Sequence, residues 1–547
     1  MDTRRLILFV IFSFSTLMLW DAWQRQHTPP VVASQPATGL PAVAGQPATQ
    51  QAANTAINGA YTLAKAQRIK VETDLYSAEI DTVGGDLRKL TLKKHRADTD
   101  KKQNYVLMND AANPMIYVAQ SGFVGENMPS HKTVYTAAST NYIMNDGEKQ
   151  LEVRLSSVSN GVSVDKVYLF KRGNYAIDVN FDVKNGGTAA LNPTVYYQIM
   201  HDNQSNQGSM LMPKFTGGVY YTEADKFKKV SFSHMADKDL SVNAKDGWVG
   251  LLQLYFVSSW IPNKDIPREY YSTKLNEHLF AVGAKSALAT IPAGANLVIP
   301  ARLYSGPQTQ KDLLATAPGL EYTVDYGWLT VIAKPLFWVL SQIHDLVQNW
   351  GVAIILLTVL LKLLFYPLSA ASYRSMAHMR EVAPKLQAMK EKFGDDKQKM
   401  QQAMIELYRT EKINPMGGCL PILLQIPVFI ALYWTILGSI ELRNAPFFGW
   451  ITDLSAIDPW YILPVLMGAT MIIQTRLNPV PTDPIQAKVM KIMPVVFSVF
   501  FFFFPAGLVL YWLVNNILSI AQQWHINRTI HAETLAKKGH PNQGNAK

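Results

Sequence analysis

The sequence predicts a multi-domain membrane protein: a six-helix transmembrane part, made of a five-span core and an N-terminal anchor, joined to a large antiparallel β-sandwich outside the cytoplasm. Three observations predict it. Apolar residues make up 48% of the 547-residue chain, an ordinary share, but they concentrate in a short run at the start and a dense block after residue 328. The stretch between them alternates apolar and polar residues and is punctuated by Gly and Asn turn signals. When the apolar blocks are threaded as six spans, Lys and Arg of the short loops fall on one side, which places that side and both termini in the cytoplasm.

Arg4 and Arg5 precede the apolar run Leu6 to Trp20, as in a secretory signal. The run ends in Trp20-Asp21-Ala22-Trp23, with bulk and charge where a small-residue cleavage site belongs. Residues 1–28 are therefore read as an uncleaved anchor, with a cleaved signal as the competing reading. Residues 29–60 are rich in Pro, Ala, Gln, Thr and Gly without hydrophobic period, and read as a flexible linker. In the β domain, residues 61–324, the runs Lys166 to Lys171 and Tyr175 to Val183 flank Arg172-Gly173-Asn174, a hairpin signal. Similar turns recur at Gly84-Gly85, Asn145-Asp146-Gly147 and Asn185-Gly186-Gly187. The single cysteine, Cys419, excludes an intramolecular disulfide, so this domain must be held by its own core.

Residues 325–350 place Leu336, Leu340, Ile343 and Val347 opposite Lys334, Gln342, His344 and Asp345. That pattern suits a helix lying at the membrane interface, or an extra packing helix of the β domain. Residues 351–368 form the second span. Residues 369–418 form a cytoplasmic helical hairpin, Ala370 to Phe393 and Lys397 to Lys412 around Gly394-Asp395-Asp396. Residues 419–524 hold four further spans: Cys419 to Ile440, Tyr461 to Gln474, Ile492 to Phe504 and Leu508 to Gln522. Pro505-Ala506-Gly507 makes the last two a tight hairpin, and residues 525–547 are a short basic tail. Tyr461 to Gln474 and Ile492 to Phe504 reach only about 20 Å of a core about 30 Å thick, which calls for local thinning of the bilayer or shielding by neighbouring helices.

The formal charge of +10 does not point to DNA, because no zinc-ligand spacing or RNP pattern accompanies it. Anionic lipid is the better counterpart. No Walker A, dinucleotide, HExxH or GxSxG pattern occurs, so no catalytic residue, metal site or cofactor is expected.

Lys362 is the one charged side chain well inside a span, where a lysine costs roughly 2.5 to 3.5 kcal/mol. Either it snorkels past Tyr366-Pro367 to the headgroups, or a water-filled groove hosts it. Thr358, Gln425, Asn516 and Ser519 are the intramembrane polar residues assigned to that groove, each open to the plainer reading of an interhelical hydrogen bond. Ile426, Phe429, Tyr433, Phe500, Phe501, Phe504, Tyr511 and Trp512 offer an apolar slide for a passing helix, or ordinary packing. Met376, Met379, Met400 and Met404 stripe the cytoplasmic hairpin, either to hold its helices together or to receive a client.

Several stretches resemble the YidC/Oxa/Alb family of membrane protein insertases. They are Asp325-Tyr-Gly-Trp328, Lys362 before Tyr366-Pro367-Leu368, Asn414-Pro-Met-Gly-Gly-Cys419, Pro421 to Pro427, Asp453-Leu-Ser455 through Asp458-Pro459, Tyr461-Ile-Leu-Pro464 and Gly507-Leu-Val-Leu-Tyr511. The resemblance covers essentially the whole chain. It implies an inner-membrane insertase and folding chaperone, acting on nascent inner-membrane proteins alone or beside the Sec translocon and its accessory subunits. It also implies a groove open to cytoplasm and lipid, a periplasmic β-supersandwich, and a positive residue in the second span. Many relatives carry Arg there; Lys362 keeps the charge without the planar fork. The long basic tail that some relatives use on ribosomes is absent, which weakens the expectation of ribosome docking.

The competing functional class is a small-molecule transporter or channel with a periplasmic sensor domain, for which intramembrane carboxylates or inverted repeats would be expected. A sugar-binding β domain, merely anchored by the rest, is a third reading that leaves five spans unexplained.

Overall fold

The computed structural model describes residues 55–57, 60–97, 100–111, 116–203, 208–209, 212–213, 215–326, 329–393, 396–411, 420–477 and 484–539. The anchor of residues 1–28, most of the linker, the Asn414 to Cys419 motif and the end of the basic tail lie outside them. The chain divides into two compact units at Val324 and Asp325.

The first unit is built of two large sheets, one of nine strands and one of ten. Its pairings are antiparallel except where Arg68–Glu72 lies parallel to Asn141–Ile143. The hairpin expected around Gly173 is present: Val162–Lys171 pairs with Ala176–Asn185, with Phe170 opposite Ile177 and Gly173 at a φ of 71°. Period-2 alternation turns one set of side chains inward from each sheet, where Phe123 meets Phe181 at 4.8 Å and Tyr197 meets Trp260 at 5.1 Å. The Trp260 indole also donates to the Gln198 carbonyl at 3.1 Å, so this large side chain is buried without an orphaned donor. One polar cluster interrupts the core. Lys166 donates to the carbonyls of Gly84 and Ser121, at 3.0 and 3.1 Å, beside Asp86 and Arg88. Burial holds the Lys166 ammonium down to about 8 and pushes the Asp86 carboxyl up.

The linker is not wholly without structure. Thr55–Ile57 pairs with Ala60–Thr62, two short strands that bracket Asn58-Gly59, the dipeptide best suited to a two-residue turn.

The second unit is helical: α1 Thr330–Val347, α2 Trp350–Leu364, α3 Tyr366–Phe393, α4 Lys397–Thr410, α5 Leu420–Gly438, α6 Ile462–Leu477, α7 Pro484–Phe500 and α8 Ala506–Gly539. Its core gathers Leu340 of α1, Ile354 and Leu357 of α2, Leu432 and Ile436 of α5, Met467 of α6 and Leu508 to Tyr511 of α8. Asp458 fixes the entry into α6: its carboxylate accepts from the Trp450 indole at 2.9 Å and from the backbone N–H groups of Trp460 and Leu463 at 3.1 and 2.8 Å. A buried acceptor set against the orphan donors of a helix start explains the Asp458-Pro459 motif physically.

Three helices differ in extent from the stretches marked out in the sequence. The helix that opens residues 351–368 ends at Leu364 and turns by 66° into α3. A straight helix would drive the Pro367 ring into the carbonyl four residues before it, whereas in the first turn of α3 the missing N–H is harmless. The helix expected from Ile492 begins at Pro484. The basic tail is in large part helix, since α8 runs from Ala506 to Gly539. Helix α8 packs against both α3 and α6, and its second half buries Ile526 and Ile530, one turn apart.

Among the described residues no single helix is long and apolar enough to cross a membrane. The bent pair Trp350–Leu364 and Tyr366–Met379 passes that test together, and Gln425–Gly438 and Ile462–Leu477 are shorter apolar helices.

Candidate functional site

The site begins with the placement of Lys362. Asn349 caps α2, its side-chain oxygen accepting from the Val352 N–H at 3.0 Å. Apolar residues then follow up to Lys362 in the last turn. There the ammonium donates to the Ser519 hydroxyl of α8 at 2.8 Å, and Ser519 in turn donates to the Asn515 carbonyl at 2.7 Å. From α5, the Gln425 amide donates to Asn515 Oδ1 at 2.8 Å. Thr358 is buried one turn before Lys362, its hydroxyl turned back onto the Ile354 carbonyl at 2.6 Å. These residues border a narrow recess with about 20 Å³ of water-sized space, room for roughly one or two waters. Thr358, Lys362, Ser369, Gln425 and Asn515 provide its polar wall, and Leu361, Phe365, Leu368, Val428 and Tyr511 its apolar wall. Among the described residues no carboxylate lines it, and the cation is held by one neutral oxygen, Ser519 Oγ, in a partly dry setting where its field is weakly screened.

Of the five residues assigned to the groove from sequence, Lys362, Thr358 and Gln425 line the recess and Ser519 touches the ammonium. Asn516 does not line it. Consecutive helical residues are rotated by about 100°, and Tyr511, Asn515 and Ser519 recur at four-residue spacing on one face. Asn516 instead shares a face with Trp512, and the Asn516 Nδ2 and Trp512 Nε1 donors are both buried without a partner. That spacing would have selected Asn515 from the sequence. Leu368 and Ser369 were missed for another reason: they enter the wall only because of the bend after Leu364.

The aromatic residues come together, largely as packing. Phe429 sits edge-on to Trp512 at 4.5 Å and stacks near Tyr511 at 6.3 Å, while Tyr433 meets Phe504 at 6.0 Å. Phe501 and Phe504 are buried in the helical core and are unavailable to a client as the helices now pack, and Tyr511, equally buried, meets open space at the recess wall. Ile426 and Phe500 remain open, 45% and 41% exposed, on α5 and α7. In the hairpin, Met379 and Met404 pack with Val382, Leu386, Leu407 and Tyr408 and so join α3 to α4. Met376 and Met400 are half-buried outside that cluster. Among the described residues no group of three or more His, Cys, Asp or Glu is placed to hold a metal ion.

Two family models match the chain in series, the YidC periplasmic domain over residues 68–339 and the 60Kd inner membrane protein over residues 342–533. A protein of Methylobacillus flagellatus named membrane protein insertase YidC is 62% identical, over 98% of this chain and 99% of its own length. The chain belongs to the YidC family. A second YidC of that name, from Aromatoleum aromaticum, is 50% identical over 98% of this chain and all of its own length. Among solved structures, an active YidC insertase with its first transmembrane domain resolved aligns over 84% of this chain and 92% of its own, at 19% identity and a TM-score of 0.40. The YidC periplasmic match covers most of the β unit and reaches into α1, and the inner-membrane match takes in every residue of the Lys362 recess.

Proposed function

We infer that this chain is a membrane protein insertase of the bacterial inner membrane, with its β unit in the periplasm and its charged recess as the entry point for a client's polar flank. The observation that carries the reading is a lysine ammonium facing a recess walled by hydroxyls and amides, with no carboxylate among the described residues that line it. A lone cation there attracts acidic or polar stretches of a passing chain and lowers the cost of taking them out of water. The apolar part of the client leaves past the open Ile426 and Phe500. Its own burial supplies the drive, at roughly 25 cal/mol per Å² of apolar area, so no nucleotide is needed. A membrane potential adds about 2.3 kcal/mol per acidic charge per 100 mV.

The same reading assigns six spans, both termini to the cytoplasm, and a client-receiving role to the α3–α4 hairpin around Met376 and Met400. Helices α2 and α6, of 15 and 16 residues, reach about 22 and 24 Å, short of a hydrocarbon core of about 30 Å. A bilayer thinned around them presents a narrower barrier. Partners are nascent inner-membrane proteins, the Sec translocon for larger clients, anionic lipid at the basic cytoplasmic face, and ribosomes carrying the nascent chain. The names of the relatives lend the transporter reading no support.

The test is insertion of a small single-span client into nucleotide-free liposomes with and without the protein. Protein-dependent insertion is expected. Solute flux without insertion would replace this reading with the transporter one.

A further inference from the structure

Lysine in the last turn of an apolar helix has an easy escape. Its four-carbon stem reaches several ångströms, and the neighbouring headgroups solvate an ammonium better than a recess does. Here it does not take that route. Lys362 Nζ points across to α8 and donates to Ser519 Oγ at 2.8 Å. The serine proton is already committed to the Asn515 carbonyl at 2.7 Å, so the hydroxyl presents lone pairs to the ammonium. Asn515 is itself braced from α5 by the Gln425 amide at 2.8 Å. Ser519 is therefore an oriented acceptor on α8, on a stretch of that helix tied to α5.

We propose that Ser519 is the positioning residue that keeps the Lys362 ammonium in the recess as an unneutralised cation, and that an acidic residue of the client takes over the serine's place on it. The neutrality of the partner matters as much as its position. A carboxylate at this point would hold Lys362 more firmly and cancel its charge, whereas a hydroxyl holds it through one hydrogen bond that a client carboxylate outcompetes. Of the charged hydrogen bond's two ends, the one on α8 stays behind satisfied through Asn515, so release leaves no orphaned donor. This inference rests on the charged-recess reading above.

The experiment uses full-length protein in nucleotide-free liposomes and two single-span clients, one with an acidic flank and one with those acids replaced by their amides. It compares wild type with Ser519→Ala, Ser519→Thr, Ser519→Asp and Lys362→Ala. A membrane-impermeant amine reagent, read at the Lys362 peptide by mass spectrometry, reports where the ammonium lies. Ser519→Ala is expected to raise labelling of Lys362 and to lower insertion of the acidic client about five-fold, with the amide client unchanged. Ser519→Thr keeps the hydroxyl and restores both readouts. Ser519→Asp lowers labelling and acidic-client insertion together. Wild-type labelling and wild-type insertion in Ser519→Ala would overturn the proposal. If Lys362→Ala inserts the acidic client normally, the charged-recess reading fails on its own account. The positioning role is then decided by labelling alone: a rise in Ser519→Ala sustains it, and no change ends it.

Discussion

The Gln425 side-chain amide donates to Asn515 Oδ1 at 2.8 Å, a neutral bond that ties α5 to α8 across the wall of the Lys362 recess. Both groups sit where water is scarce, so each alone would be an orphan, and an interhelical bond of this kind contributes about 1 kcal/mol. A double-mutant cycle with Gln425→Leu and Asn515→Leu is expected to give a coupling of that size in reversible unfolding from detergent micelles. Additive single effects would show that the two side chains act independently.

The charge of Lys362, more than its shape, is expected to govern clients with acidic flanks. Lys362→Arg should retain insertion to within about two-fold, because the guanidinium is also cationic though its donors are differently set. Lys362→Glu should lower it by about ten-fold or more, since a like charge now faces the client's acids. The check is protease protection of the client after insertion into liposomes at low and high salt.

The β unit carries an acid-sensitive histidine. His131 is buried, its ring nitrogen 2.5 Å from the Tyr196 hydroxyl, and burial lowers its pKa from 6.5 to about 3. Between those values the unfolded chain takes up a proton that the folded domain refuses. Stability present above pH 6.5 is therefore lost as the pH falls, by about 2 kcal/mol at pH 5 from this residue alone. Burial lowers His201 too, and adds in the same direction. Thermal unfolding of the full-length protein at pH 7 and pH 5 should show the drop in the β unit, and His131→Gln should remove His131's share of it.

At the start of α2 a side chain has no room. A Cβ on Gly351 would lie 2.1 Å from the Phe447 ring, so Gly351→Val must displace that ring or the helix. A cost of about 1 to 3 kcal/mol is expected, read as a lower unfolding midpoint. The paired change Gly351→Val with Phe447→Ala should recover part of it if the clash is the cause.

The hairpin cluster separates packing from client contact. Leu386 lies among Val382, Met379, Met404, Leu407 and Tyr408, and Leu386→Ala should weaken the α3–α4 contact by about 2 kcal/mol. Spin-label distances between the two helices should broaden. A loss of insertion with those distances unchanged would instead mean that Leu386 meets the client directly.

Local patterns made much of this molecule legible in advance. Alternation around Gly173 marked a hairpin because a two-sided strand needs period 2, and Pro505-Ala506-Gly507 marked a turn because proline cannot continue a helix. Lys362 stood out because a lone charge in an apolar run needs a host. What could not be read is set by contacts distant in sequence. Ser519 becomes the partner of Lys362 only once α8 lies against α2, and Phe501, Phe504 and Tyr511 become core only when α5, α7 and α8 close on them. The polar look of residues 525–547 concealed Ile526 and Ile530, which gain meaning only from the helices packed against α8.

Helix α8 reads as a ruler with one graduated edge. Tyr511, Asn515, Ser519, Ile526 and Ile530 fall along the same side of a single unbroken helix of 34 residues, about 51 Å long, while Ile517, Trp524 and Arg528 mark the opposite, open side. The recess and the buried edge at Ile526 and Ile530 are thus kept in phase by nothing except the number of residues between them. One residue added between Ser519 and Ile526 would turn the far edge by about 100° and set the two contacts against each other, whereas seven, close to two full turns, would bring them back into line.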